Sequence, residues 1–414
     1  MPISHRRFIP VSQAGWRVRA VVLIGTALGL MTACTTAPTP APVPVPTIAA
    51  AAADAPLLPT RTVEPTRTPG PTVTPLPPTS TPEATAEPAS TYYAGGVRAF
   101  SRGAYTEAIL AFTQALQLDP QNALIYLSRA QTYLAQKDYD GAAGDFGKVL
   151  ELDPSNIVAW IGRGEARAGL QQYPLALRDI DQAIALSPGE PSVYINKGRI
   201  LQASGNITDA VAAFGRALEI DPNYAPAFYA RALAYFADRP AQQLAVDLRV
   251  INDLSAAIAL EPDNVDAYLA RAEEYVAGGD FDRALADLTS ALARQPDDIA
   301  LLIRRGQLNT TRRDFAAALA DLNRAVTLDP ESAEAYYRRG VAYADQAQLD
   351  RAIGDFTAAL QIDAQYRPAY VQRALAYERQ NRRDLALADL RRALALAQTA
   401  DDRAAIQAEI NRLQ

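Results

Sequence analysis

"ALIYLSRAQTYLAQ" (Ala123–Gln136), followed by "YDGAAGDFGKVLELDP" (Tyr139–Pro154), is one full period of a sequence that repeats along most of its length. Apolar residues recur at helical spacing in both pieces, which predicts two short helices. Pro154 ends the second, because proline has no N–H with which to continue a helix. One proline thus marks one unit. Pro120, Pro154, Pro188 and Pro222 lie 34 residues apart, and Pro262 follows 40 later. Pro296 and Pro330 resume the spacing, while Ala364 and Gln398 hold the last two places. Nine units result, beginning near residues 89, 123, 157, 191, 225, 265, 299, 333 and 367. The fifth carries an insertion near 237–243, "ADRPAQQ".

Three columns predict how the helices pack. The eighth position is always Gly or Ala: Gly96, Ala130, Gly164, Gly198, Ala232, Ala272, Gly306, Gly340 and Ala374. The twentieth is Ala in every unit but one, where Val250 stands. Small side chains at these places let two helices approach closely. Larger residues fill the space beside them: Tyr126, Trp160, Tyr194 and Tyr268 in the first helix, Phe112, Phe146, Phe214 and Phe356 in the second.

A further pair of columns is charged. The seventh position holds Arg129, Arg163, Arg231, Arg271, Arg305, Arg339 and Arg373; the twenty-third of the same seven units holds Asp145, Asp179, Asp253, Asp287, Asp321, Asp355 and Asp389. The first unit has Gly95 and Ala111 instead, and the fourth Lys197 and Ala213. Arg and Asp are present together and missing together. That favours ion pairs between the two helices, within a unit or across to its neighbour, over an arginine ladder that grips an anionic ligand.

These units resemble the tetratricopeptide repeat family over about 310 residues. In the second unit the matching residues are Tyr126, Ala130, Tyr133, Tyr139, Ala142, Phe146 and Pro154. The resemblance implies an all-α, right-handed superhelical solenoid with repeats over 92–398. A C-terminal capping helix at 399–414 is expected, with Ala405, Ile406, Ile410 and Leu413 on one face. At the other end, Gly95 and Gly96 are expected to loosen the first unit. The family's groove is lined by the first helix at its second, fifth, ninth, twelfth and thirteenth positions. Carried over, these include Leu127, Gln131, Ile161, Glu165, Ile195, Arg199, Tyr229, Phe236, Leu269, Glu273, Ile303, Gln307, Tyr337 and Glu378. Tyr229 and Phe236, beside the insertion, are either groove anchors or part of the inter-helix core.

Composition narrows the chemistry. The chain has 414 residues, 49% hydrophobic and 21% charged, with a formal net charge of −6. Without Arg6, Arg7, Arg17 and Arg19 the remainder stands at −10, which does not suit a nucleic-acid partner. The only histidine is His5 and the only cysteine Cys34, so the repeats can build neither a His–Cys metal site nor a His-based nucleophile relay. No phosphate-binding GxxxxGK[ST] or GxGxxG is found. Neither catalysis nor a cofactor is expected.

The amino-terminal segment reads differently. Residues 1–19 are basic, and "VVLIGTALGLMTA" (Val21–Ala33) is apolar but shorter than the roughly 20 residues that span a bilayer. "MTAC" (Met31–Cys34) resembles the lipobox of bacterial lipoproteins, although Met31 stands where Leu is usual. The resemblance implies a signal peptide over 1–33, cut before Cys34, and acyl chains on that residue. An uncleaved, tilted anchor is the other reading, since Ala20 joins the apolar run. After the lipidated Cys34, the rest of segment 34–91 (residues 35–91) holds 15 Pro and 14 Thr in 57 positions and reads as a disordered tether.

The function expected is therefore a non-catalytic scaffold in a bacterial cell envelope. It would be lipid-anchored to the outer face of the cytoplasmic membrane or to an outer membrane, and bind a peptide or partner protein in its groove. Two alternatives stand beside it: an assembly component of a secretion, pilus or outer-membrane complex, and glycan binding.

Overall fold

A computed structural model describes residues 88–239 and 246–414. The signal, Cys34, His5 and nearly all of the tether lie outside the described residues, as does most of the insertion. Among the described residues there are nineteen helices and no strand.

Eighteen form nine A–B pairs. The first four are α1 (Ala89–Ser101) with α2 (Tyr105–Leu118), α3 (Ala123–Ala135) with α4 (Tyr139–Leu152), α5 (Ile157–Gly169) with α6 (Tyr173–Leu186), and α7 (Pro191–Ala203) with α8 (Ile207–Ile220). The fifth joins α9 (Ala225–Asp238) to α10 (Leu248–Leu260) across the insertion. Then follow α11 (Val265–Ala277) with α12 (Phe281–Arg294), α13 (Ile299–Thr311) with α14 (Phe315–Leu328), α15 (Ala333–Asp345) with α16 (Leu349–Ile362), and α17 (Arg367–Arg379) with α18 (Arg383–Ala395). A last helix, α19 (Ala400–Leu413), closes the array.

Local chemistry sets the boundaries. Asn122, Asn156, Asn264 and Asp298 cap A helices with side-chain oxygens that accept backbone N–H groups; Asp138, Asn206, Asp280 and Asp314 do so for B helices. The fifteenth residue of each unit turns the chain from A to B in a left-handed conformation. It is Gly103, Lys137, Gln171, Gly205, Gly279, Arg313, Ala347 or Asn381, and only the fifth unit lacks it. There Arg239 is extended, with φ −72 and ψ 125.

The small-residue columns lie where helices touch. All nine residues of the twentieth column are fully buried, from Ala108 to Ala386. The twenty-fourth column fills the core with Phe112, Phe146, Ile180, Phe214, Leu254, Leu288, Leu322, Phe356 and Leu390. Gly96 does not loosen the first unit. Helix α1 runs straight through it, because a Cβ there would lie 2.6 Å from the Phe112 ring and the glycine makes room for that ring.

The Arg and Asp columns pair within each unit. Arg271 donates from Nε and Nη2 to both oxygens of Asp287, at 2.8 and 2.7 Å. The same two-pronged pair joins Arg129 to Asp145, Arg163 to Asp179, Arg231 to Asp253, Arg305 to Asp321, Arg339 to Asp355 and Arg373 to Asp389. The third prong reaches the preceding unit: Nη1 donates to Thr113 from Arg129, to Ser255 from Arg271, to Thr289 from Arg305, to Asn323 from Arg339 and to Thr357 from Arg373. One guanidinium thus ties three helices together. In the fourth unit Lys197 reaches the equivalent place on the preceding unit, Asp181, at 2.9 Å.

The ends are finished differently from the middle. On α19, Ile406, Ile410 and Leu413 pack against Ala374, Leu390, Ala393 and Ala397, while Ala405 faces water, one residue off that stripe. On α1, the third and tenth positions are exposed Thr91 and Arg98. From the second unit onward those two positions are buried, as in Ala159 and Ala166. A polar outer face at a terminal repeat is what keeps an array soluble.

Candidate interaction groove

Consecutive A helices touch one another directly, α3 on α5 and α13 on α15 among them, whereas no B helices of successive units make contacts as extensive. Closer spacing on the A side bends the array toward it. The second, fifth, ninth, twelfth and thirteenth positions share one face of each A helix, the face that the tetratricopeptide resemblance assigns to the inner wall.

The nominated residues fall into three groups. Leu127, Gln131, Ile161, Tyr229, Phe236, Leu269, Glu273 and Gln307 are half-buried along the wall, and Glu165 and Arg199 are exposed. Ile195, Ile303 and Tyr337 are buried and present no open surface. Tyr337 packs between Phe356 and Tyr366, with ring centroids 6.0 and 5.4 Å away, so it belongs to the core of the eighth unit. Glu378 is already engaged: Arg412 of α19 donates to both its oxygens at 2.7 Å, which fastens the closing helix. Tyr229 and Phe236 pack partly against the core, with the hydroxyl of Tyr229 pushed well above its ordinary pKa by burial.

The sequence reading passed over the most exposed apolar residues of this wall. Leu124 and Val158, at second positions, are 53% and 50% exposed, and Val97, at a ninth, 43%. They obey the same position rule, but an aliphatic side chain at such a position reads the same in sequence whether it is buried, like Ile195, or exposed, like Val158. Across the first two units the wall positions carry no charge, and the first charged one is Glu165.

Beyond that point two carboxylates of the A helices each have an arginine on the following A helix. Arg304 approaches Glu273 at 3.8 Å, and Arg199 acts on Glu165. Burial nevertheless raises both carboxyls above their ordinary range, with the arginines offsetting part of the effect. A carboxyl raised on folding carries a penalty above the raised pKa that disappears as pH falls below the unfolded value. Glu273→Gln is therefore expected to raise the melting temperature slightly at pH 7. The difference should vanish below about pH 4, where wild type is protonated in both states; paired thermal melts check this.

Among the described residues there is no group of three or more His, Cys, Asp and Glu placed to hold a metal ion, and no helix long and apolar enough to cross a membrane.

Family models for the TPR repeat match residues 96–137, 198–238 and 314–347, and tetratricopeptide repeat models match 123–156, 251–299, 269–327, 333–366 and 368–399. Together they cover more than half of the sequence, all of it within the helical repeats. The chain belongs to the tetratricopeptide repeat family. Such arrays are protein-interaction scaffolds, and that is its broad class.

Among solved structures, the chain is similar to one titled "Crystal structure of APC/C hetero-tetramer Cut9-Hcn1", at 18% identity and TM-score 0.44. The match covers 74% of this chain and 59% of that one, so the tetratricopeptide chain spans less than two thirds of its length. It is also similar to the MamA protein, at 22% identity and TM-score 0.35, covering 43% of this chain and 94% of that one. A third, "YrrB: a TPR protein with an unusual peptide-binding site", has 22% identity and TM-score 0.33, with coverage of 46% and 96%. A search of curated proteins returns no significant match.

Proposed function

We propose that this tetratricopeptide array is a scaffold held outside the cytoplasm by lipid on Cys34, and that its inner wall takes an extended segment or helix of another envelope protein. The half-exposed apolar side chains of Val97, Leu124 and Val158 on the A helices support the reading, together with the absence of charge at the wall positions of the first two units. Apolar surface left open on a solenoid's inner face gains by being covered. The "MTAC" segment supports the anchor, and the Pro- and Thr-rich stretch after it supports clearance from the membrane.

The test uses the full-length chain in a bacterial envelope. A clickable palmitate analogue should label wild type and not Cys34→Ser, which should also leave the membrane fraction. Cross-linking in intact cells should recover a partner with wild type. Leu124→Asp with Val158→Asp should lose it while helicity is unchanged. A partner kept in fixed stoichiometry by both would move the contact off the wall and favour an assembly component.

A further inference from the structure

We propose that Glu274 is a buried clasp that closes the stem of the insertion in the fifth unit, holding both chain ends with one oxygen. Its Oε1 accepts a hydrogen bond from Arg239 Nη2 at 2.6 Å and another from the backbone N–H of Asp247, also at 2.6 Å. Arg239 is the last described residue on the outgoing side of the insertion, and Asp247 caps the helix that follows it. Glu274 itself lies on α11, in the next unit. One carboxylate therefore ties the outgoing strand, the returning strand and the neighbouring repeat.

The sequence pattern supports the assignment independently. Glu274 holds the tenth position of its unit. The other units after the first place Thr132, Ala166, Ile200, Ala234, Leu308, Ala342 and Ala376 there, all buried. A carboxylate replaces them only in the unit that follows the lengthened turn. That same turn is the only one of nine without a left-handed residue at its fifteenth position. Elsewhere, one backbone conformation brings helix B back onto helix A. Here the chain leaves α9 extended, and something else must return it.

The pair is costly to bury. The Arg239 and Glu274 side chains are 6% and 0% exposed, and two charges removed from water repay the desolvation only in good geometry. An apolar residue at this position would satisfy packing, as it does in the sibling units. It could not accept the Asp247 N–H or hold Arg239, whose guanidinium also lies 5.1 Å from the centre of the Phe236 ring. Val246 completes the closure from the other side: its Cγ2 lies 2.2 Å from where a Cβ on Gly278 would stand, so the returning strand packs directly on α11.

Hydrogen exchange on the full chain tests the clasp, whatever the inner wall binds. In Glu274→Ala, amides 249–251 at the start of α10 should exchange at least about tenfold faster, while those of α14, two units away, are unchanged. A second variant, Arg239→Leu with Glu274→Leu, removes the clasp without leaving a buried unpaired charge. It should melt no lower than wild type and still show the fast exchange at 249–251. Wild-type protection at 249–251 in the double variant would overturn the proposal, because packing by Val246 would then suffice. So would unchanged exchange in Glu274→Ala. If Glu274→Ala does not fold, the double variant alone decides.

Discussion

Arg271→Ala is expected to cost about 3–5 kcal/mol, because it leaves the Asp287 carboxylate buried without its counter-charge. Asp287 is 7% exposed along its side chain, and both of its oxygens are held by Arg271. The truncation also frees Ser255 on the preceding unit and uncovers the rings of Tyr268 and Tyr275, which flank the guanidinium at 6.0 and 5.9 Å. Arg271→Met with Asp287→Leu should come within about 1 kcal/mol of wild type, since an apolar pair of similar volume avoids the desolvation cost. The difference between the single and double variants measures how much of the loss is orphaned charge. A nine-unit array frays unit by unit, so the readout is exchange in α11 and α12 and their neighbours rather than one global midpoint. Arg271→Ala should open the sixth unit first and split the melting curve. Equal losses in the single and double variants would make the arginine a packing residue and not a charge partner.

That arginine shows how far the sequence could be read. The Arg and Asp columns vanish together in the first and fourth units, and this joint absence was enough to pair them. It was not enough to choose between a pair within a unit and one across units, because a period of 34 looks the same either way. The third prong was hidden for a different reason. Its acceptors, Thr113, Ser255, Thr289, Asn323 and Thr357, are of three residue types joined only by the ability to accept a hydrogen bond. Gly147 and Gly215 interrupt the same column with no side chain at all. The wall was legible as a set of positions, but not as a surface. Tyr337 and Leu127 hold the same fifth position, yet one is core and the other half-open, because neighbouring rings decide which way an aromatic side chain leans. Glu378 was misplaced because its partner, Arg412, lies outside the repeat pattern.

Gly198→Ala is the second large effect. Alanine in a helix interior ordinarily gains about 0.5–1 kcal/mol over glycine. Gly144 should show that gain, since a Cβ there meets nothing within 4 Å. At Gly198 the new Cβ would lie 2.3 Å from the ring of Phe214, a fully buried side chain, and overpacking of this kind costs about 1–3 kcal/mol. The two substitutions should therefore move exchange protection in opposite directions, each within its own unit. The array already contains the remedy. Glycine at the eighth position faces phenylalanine at the twenty-fourth in the first, fourth and eighth units: Gly96 with Phe112, Gly198 with Phe214, Gly340 with Phe356. Alanine goes with leucine in the fifth, sixth and ninth: Ala232 with Leu254, Ala272 with Leu288, Ala374 with Leu390. The second unit keeps both Ala130 and Phe146. It does so by turning the ring toward the next unit, where a Cβ on Gly162 would lie 2.3 Å away. Gly198→Ala combined with Phe214→Leu should consequently recover most of the protection that Gly198→Ala loses, although Phe214→Leu alone leaves a cavity. A favourable coupling of about 1–2 kcal/mol in that double-mutant cycle is the expected result. Additive losses would mean that the ring has room to move, and that glycine at the eighth position serves something other than close approach.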